Sequence, residues 1–198
     1  FDITELVEED KTNLLAVMVD STERPDIPPF GYVIDYLTYG GIYREVSLRI
    51  VDNVYIENAH IRTGAVLEDR KSISASVYCT NTTGAEQQAK MKLVLRDGER
   101  IVAEKSLEVV IGKSSEEVLN IEIDGIENID LWYIDSPKLY DAEIRLESDE
   151  FNDIFVARIG FREAVFKKDG FYLNGRKIKL RGLNRHQSYP YVGYAMPK

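Results

Sequence analysis

Ile73-Ser-Ala-Ser-Val-Tyr-Cys79 alternates apolar and polar residues without a break. Successive side chains of a β-strand point to opposite faces, so this stretch predicts a strand with one face buried and one wet. The same period of two recurs on both sides. It returns in Met91, Leu93 and Leu95, in Leu119, Ile121 and Ile123, in Ala142, Ile144 and Leu146, and upstream in Leu15, Val17 and Val19. Turn signals separate these runs: Asn81 to Gly84, Asp97-Gly98, Asp124-Gly125, Asp169-Gly170 and Asn174-Gly175. Asp97-Gly98 and Asn174-Gly175 suit tight hairpins, because both central residues of a type I′ turn need positive φ. Strands at spacings of roughly ten residues predict an all-β chain built on antiparallel sandwiches. The best helix candidate is Thr4 to Glu9, with Asp2 able to cap it and Glu5 three residues on.

The chain divides into three textures. Residues 1–52 carry two predicted strands around an irregular loop rich in Pro and Tyr, Pro25 to Tyr39. Residues 53–160 hold the regular alternating strands, enough to close a sandwich of ~100 residues. Residues 161–198 read as one hairpin followed by a polar tail rich in Tyr and Pro. The first segment has too few strands to cover its own apolar faces, and unpaired edges invite pairing with another chain. Residues 1–52 and 180–198 are therefore expected to lack stable packing of their own or to be exchanged between protomers, and a homo-oligomer is compatible with that.

Composition removes several classes of function. The 198 residues are 44% hydrophobic and 30% charged, a globular balance. The net charge of −9 argues against a nucleic-acid partner, whose binding draws on clustered Lys and Arg. No run approaches the roughly 18 apolar residues of a membrane span, so no membrane partner is expected. Cys79 is the one cysteine, which rules out an internal disulfide, and its place in an alternating strand predicts a buried structural thiol rather than a nucleophile. Two distant histidines, His60 and His186, with one Cys provide no zinc spacing. There is no phosphate-cradling glycine loop and no G-x-S-x-G elbow.

Three places could carry chemistry. The densest is Arg181-Gly-Leu-Asn-Arg-His-Gln-Ser-Tyr-Pro190, hydrogen-bonding groups at the exit of a predicted strand. Taken alone, His186 reads first as a plain surface or capping histidine, and its neighbours raise the functional reading. In Asp35-Tyr-Leu-Thr-Tyr-Gly-Gly41 a carboxylate stands among rings that could hold sugar hydroxyls and stack on a pyranose; the plain alternative is a solvated loop. Trp132 could be a sugar platform, but reads first as a residue of the sandwich core or of domain packing.

Gly160-Phe-Arg-Glu163, Leu173-Asn-Gly-Arg-Lys177 and Arg181-Gly-Leu-Asn-Arg-His186 with Pro190 are together similar to the approach to the catalytic barrel in family 2 β-galactosidases. Tyr39-Gly-Gly-Ile-Tyr-Arg-Glu-Val-Ser-Leu48 resembles the last strand of their sugar-binding jelly roll, and Leu131-Trp132, Pro137 and Leu139-Tyr140 resemble the late part of their first immunoglobulin-like domain. The resemblance covers essentially the whole chain, with Asn184 to Pro190 its most specific part. It implies the end of a jelly roll over 1–52, an immunoglobulin-like β-sandwich over 53–160, and over 161–198 the hairpin and first strand that begin a catalytic barrel.

Family members hydrolyse terminal β-galactosides with retention, using two glutamates about 5–5.5 Å apart. The resemblance places both glutamates beyond residue 198, with the ligands of an active-site magnesium, so no catalytic residue is expected in this chain and the chain alone is expected to be inactive. Two positions match family substrate contacts. His186 would touch the galactosyl unit and stabilise the transition state; Asp35 would contact a sugar hydroxyl and a sodium ion. Gln187, Ser188 and Tyr189 depart from the acidic and histidine residues that often follow the motif histidine. β-Glucuronidases share the loop shape around Asp35, so that loop does not separate the two activities, whereas Pro190 and the Gly193-to-Met196 tail favour galactosidase. Family habit implies a cytoplasmic protein. The rival reading is a non-catalytic immunoglobulin-like module of a carbohydrate-binding or adhesion protein, against which stands the tail from Gly160 onward.

Overall fold

The computed structural model describes residues 1–8, 10–22, 24–27 and 39–195. These fall into two compact units, one formed by Phe1–Leu48 with Gly182–Lys198 and the other by Arg49–Arg181.

The Arg49–Arg181 unit bears out the all-β expectation. Its strands are β1 Val54–Gly64, β2 Lys71–Asn81, β3 Gln87–Asp97, β4 Arg100–Ile111, β5 Ser115–Ile126, β6 Tyr140–Glu147, β7 Asn152–Ile159, β8 Ala164–Lys167, β9 Gly170–Leu173 and β10 Arg176–Ile178. A three-stranded sheet ordered β1-β2-β5 faces a four-stranded sheet ordered β4-β3-β6-β7, every pairing antiparallel. Three strands against four is the strand count of the immunoglobulin-like sandwich. β8, β9 and β10 form a separate small antiparallel sheet.

The alternating residues read from the sequence fill the space between the sheets. Ile73, Ala75, Val77 and Cys79 of β2 are buried with Met91, Leu93 and Leu95 of β3 and Ala142, Ile144 and Leu146 of β6. Burial pushes the Cys79 thiol up to about 12, with the nearby Asp153 and Glu117 carboxylates adding to the shift. A thiol of ordinary pKa near 9.0 in the unfolded chain holds its proton more tightly in the fold, so this contribution to stability is lost as pH rises from about 9 toward 12. At pH 8 the folded protein is expected to resist Ellman's reagent, and one thiol is expected to react in urea; prompt labelling of the folded protein would show that Cys79 is accessible.

β1 changes face partway along. Ile56 pairs with Cys79 but Asn58 pairs with Tyr78, leaving Glu57 as an extra residue in a bulge. The inward residues therefore switch from Val54 and Ile56 to Ala59 and Ile61. Asp153 of β7 holds the bulge across the open edge of the sandwich: one carboxylate oxygen accepts the Ile56 N–H at 2.8 Å and an Arg49 N–H at 3.2 Å. Arg49 also donates to the Ile56 carbonyl at 2.6 Å.

At the far end, the small sheet is clamped to the sandwich. Asn174 and Gly175 have φ of 47° and 73° and join Leu173 to its partner Arg176, the two-residue hairpin read from Asn-Gly. The Asn174 amide donates to the Trp132 carbonyl at 2.9 Å and accepts from the Glu163 N–H at 2.8 Å, while the Trp132 N–H donates to the Phe161 carbonyl at 2.9 Å. Arg162 covers the Trp132 ring at 4.8 Å, and a Cβ on Gly160 would come within 2.8 Å of the Trp132 Cβ. Trp132 is thus a packing residue.

Three local expectations differ. At Asp97-Gly98 the turn residues are Gly98 and Glu99, since Asp97 pairs with Arg100; only Gly98 takes positive φ, 60°, so the turn is not type I′. The Thr4–Glu9 helix shrinks to a 3-10 turn over Thr4–Leu6: Asp2 does bond the Thr4 N–H and hydroxyl, but no side chain caps the turn and none of its residues is buried. The strand expected at Leu15, Val17 and Val19 does not form, and these residues are exposed. Alternation makes a strand only where a partner supplies the hydrogen-bond ladder, and the described residues of 1–52 contain no strand to pair with it.

Candidate functional site

The polar cluster 181–190 leaves the small sheet after Ile178 as chain without regular structure, and from Gly182 onward it belongs to the Phe1–Leu48 unit. His186 sits in this loop, its side chain exposed. Asp35, the second candidate substrate contact and candidate sodium ligand, lies outside the described residues, as do its neighbours as far as Thr38.

Beyond His186 the chain closes a tight turn. The Tyr189 N–H donates to the Gly193 carbonyl at 2.7 Å, and Tyr191 at the tip takes a φ of 69°. Gly193 also has positive φ, 59°, and a Cβ there would fall 2.9 Å from the Tyr39 ring, so the turn lies directly against Tyr39. Tyr194 packs edge-on to Tyr39, ring centroids 5.0 Å apart. Sequence reading singled out His186 and the rings around Asp35, and among the described residues the structure brings Tyr39 of the second group against the His186 loop. It passed over Tyr191, because a positive φ on a tyrosine has no sequence signal, unlike an Asn-Gly pair.

Elsewhere the shifted titrations belong to stabilising pairs rather than to a reacting centre. Lys138, hydrogen-bonded at 2.5 Å, holds the Asp97 carboxyl below its usual range, with Arg100 adding to the effect. Burial raises the Tyr140 hydroxyl, whose oxygen accepts the Asp130 N–H. Among the described residues no group of three or more His, Cys, Asp and Glu is placed to hold a metal ion, and no helix is long and apolar enough to cross a membrane.

A seven-stranded sandwich with a clamped hairpin, followed by a loop of hydrogen-bonding and aromatic groups, defines the class: an all-β module built on an immunoglobulin-like sandwich. Residues 54–162 match the model of glycosyl hydrolases family 2, and the chain belongs to that family. It is 49% identical over 187 residues to a β-galactosidase of Thermoanaerobacterium thermosulfurigenes, an alignment covering 94% of this chain and 26% of that protein. To a β-galactosidase of Rhizobium meliloti it is 41% identical, over 93% of this chain and 24% of the relative. A crystallised Bacteroides uniformis β-glucuronidase 2, covalently bound to cyclophellitol-6-carboxylate aziridine, superposes on the whole chain with a TM-score of 0.84 at 27% identity, over 25% of its own length. The chain thus spans about a quarter of the length of the relatives it matches.

Proposed function

We propose that this chain is the sandwich and adjoining loop of a retaining β-galactosidase, contributing Asp35 and His186 to the sugar site while the two catalytic glutamates come from elsewhere in the whole protein. One observation carries the choice of substrate: identity is 49, 41 and 37% to three β-galactosidases and 30 and 29% to two β-glucuronidases. The whole-chain likeness to the Bacteroides uniformis β-glucuronidase favours the second reading, a β-glucuronidase. A stand-alone carbohydrate-binding or adhesion module is the less supported third, since the relatives quoted above carry hydrolase names.

In such an enzyme one glutamate attacks the anomeric carbon and the other protonates the leaving oxygen, through a transition state with positive charge on the ring. His186 would bond a sugar hydroxyl more strongly in that state than in the ground state, which is the condition for raising kcat. Asp35 would accept from a second hydroxyl and could share a sodium ion with ligands from the rest of the protein; the magnesium would lie wholly outside this chain, and no step here is routed through either ion. A buried thiol and no disulfide suit a cytoplasmic setting. Homo-oligomerisation is part of the same proposal.

The test is an assay of the whole protein against a panel of nitrophenyl glycosides. The galactoside is expected to turn over fastest, and His186→Ala to lower kcat by about 10²-fold. Faster turnover of the glucuronide would replace the substrate, and inactivity on both would remove the enzyme reading. The 198-residue chain purified free of host enzyme is expected to hydrolyse nothing and to bind galactose no more tightly than about millimolar, because open hydrogen-bonding groups compete with water.

A further inference from the structure

A cavity of about 390 Å³ opens beside the loop that carries His186, lined by Tyr39, Ser188, Tyr189, Pro190, Tyr191 and Gly193. We propose that it receives the ring on the leaving-group side of a neutral β-glycoside, with Tyr191 as the stacking face. The proposal rests on the glycosidase reading above and names a contact that reading does not use.

Tyr191 is placed against its own interest. L-residues pay for positive φ through Cβ crowding, and for a bulky aromatic that conformation is an outlier. A ring can offset this by burying itself, yet the Tyr191 side chain is fully exposed. Glycine would serve the turn better. What tyrosine adds at this tip is an aromatic ring in the lining of the cavity, and backbone strain concentrates where a site needs a side chain in a particular place.

A second ring of the lining is held in place. Tyr39 is wedged between the backbone of Gly193, which has no room for a Cβ, and the edge of Tyr194. Among the described residues the lining is made of Tyr, Ser, Pro and Gly side chains with no formal charge, which suits the C–H faces and hydroxyls of a neutral ring. The volume lies at the small end of the ~300–1,000 Å³ of small-molecule sites, room for one ring rather than an oligosaccharide. Ser188 follows His186 by two residues, and two residues of chain span at most about 7 Å. The cavity lining therefore begins on the same loop, close in space to the backbone of His186.

The experiment compares phenyl with methyl β-galactoside as substrates of the whole protein, for the parent, Tyr191→Gly and Tyr191→Phe. Tyr191→Gly relieves the strained φ while removing the ring, so it does not threaten the turn, and the ratio of kcat/KM between the two substrates is independent of how much enzyme is folded. Loss of the ring is expected to lower the preference for phenyl over methyl about 3- to 10-fold, the worth of one aromatic contact, and Tyr191→Phe is expected to keep it. An unchanged ratio in Tyr191→Gly, in a protein that hydrolyses both substrates, would overturn the subsite alone. A parent protein that hydrolyses neither would overturn the glycosidase reading and the subsite with it.

Discussion

Replacing Phe161 with alanine is expected to destabilise the Arg49–Arg181 unit by about 3–5 kcal/mol, the usual cost of removing a buried aromatic side chain. Phe161 is fully buried and belongs to the continuous sandwich core, packing edge-on against the buried Tyr140 ring at 5.6 Å. Its neighbours are poorly placed to collapse into the void. The Phe161 carbonyl holds the Trp132 N–H, and Gly160 is pressed against the Trp132 side chain, so the backbone on either side of the cavity is fixed. In thermal unfolding the loss is expected as a fall in Tm on the order of 15 °C. Phe161→Leu keeps most of the volume and is expected to cost under about 2 kcal/mol. If Phe161→Ala lowered stability by less than about 1 kcal/mol, the core would end before the hairpin, and the clamp through Trp132 and Asn174 would be surface decoration.

The sequence made the inner strands and the edge strand β5 legible and hid β1, β4 and β7, for a physical reason. β2, β3 and β6 have neighbours on both sides and one face against the core, so their alternation is clean and every inward residue read from it is buried. Three of the edge strands blur it. In β1 the bulge at Glu57 moves the inward set from even to odd residues, and a fixed-period reading loses the strand at that point. In β4 the extra residue is Val102, since Leu95 pairs with Ala103 and Arg96 with Ile101. In β7 the outward-facing Ile154 and Val156 are apolar as well as the inward Phe155 and Ile159, so no alternation survives. The converse error occurred at Leu15 to Val19, where a clean pattern met no partner strand.

The site was legible only in part. His186 and the Tyr-rich stretches stood out because hydrogen-bonding and aromatic residues clustered at a strand exit. The contact of Tyr39 with Gly193 joins residues more than a hundred positions apart, and nothing local announces it. Asn81 was read as the start of a turn and nothing more, although its side chain holds together two loops of the sandwich.

That role makes Asn81 the second large expected effect. It is buried, and its amide nitrogen donates to the carbonyls of Ala85 at 2.9 Å, Gly112 at 2.8 Å and Ile111 at 3.3 Å. Its oxygen accepts both the N–H and the hydroxyl of Thr83, at 2.9 and 2.7 Å. One side chain thereby satisfies the polar groups of the chain leaving β2 and of the chain leaving β4. Asn81→Ala removes the bonds and leaves those groups facing an apolar gap. At about 1–3 kcal/mol for each buried group stripped of its partner, with some regaining water at the rim, a loss of about 2–4 kcal/mol is expected, read as a lower urea midpoint at unchanged m-value. Asn81→Asp discriminates hydrogen bonding from mere volume. It keeps the size and the acceptor facing Thr83 but aims an ionised oxygen at three carbonyls, so at neutral pH it is expected to be no better than alanine. Burial among acceptors raises the folded pKa of that new carboxyl above its unfolded value, so Asn81→Asp should regain stability as pH falls and the carboxyl protonates into a donor. A variant as stable as the parent at pH 7, or one that gains nothing on acidification, would mean that water rather than Asn81 satisfies these loops.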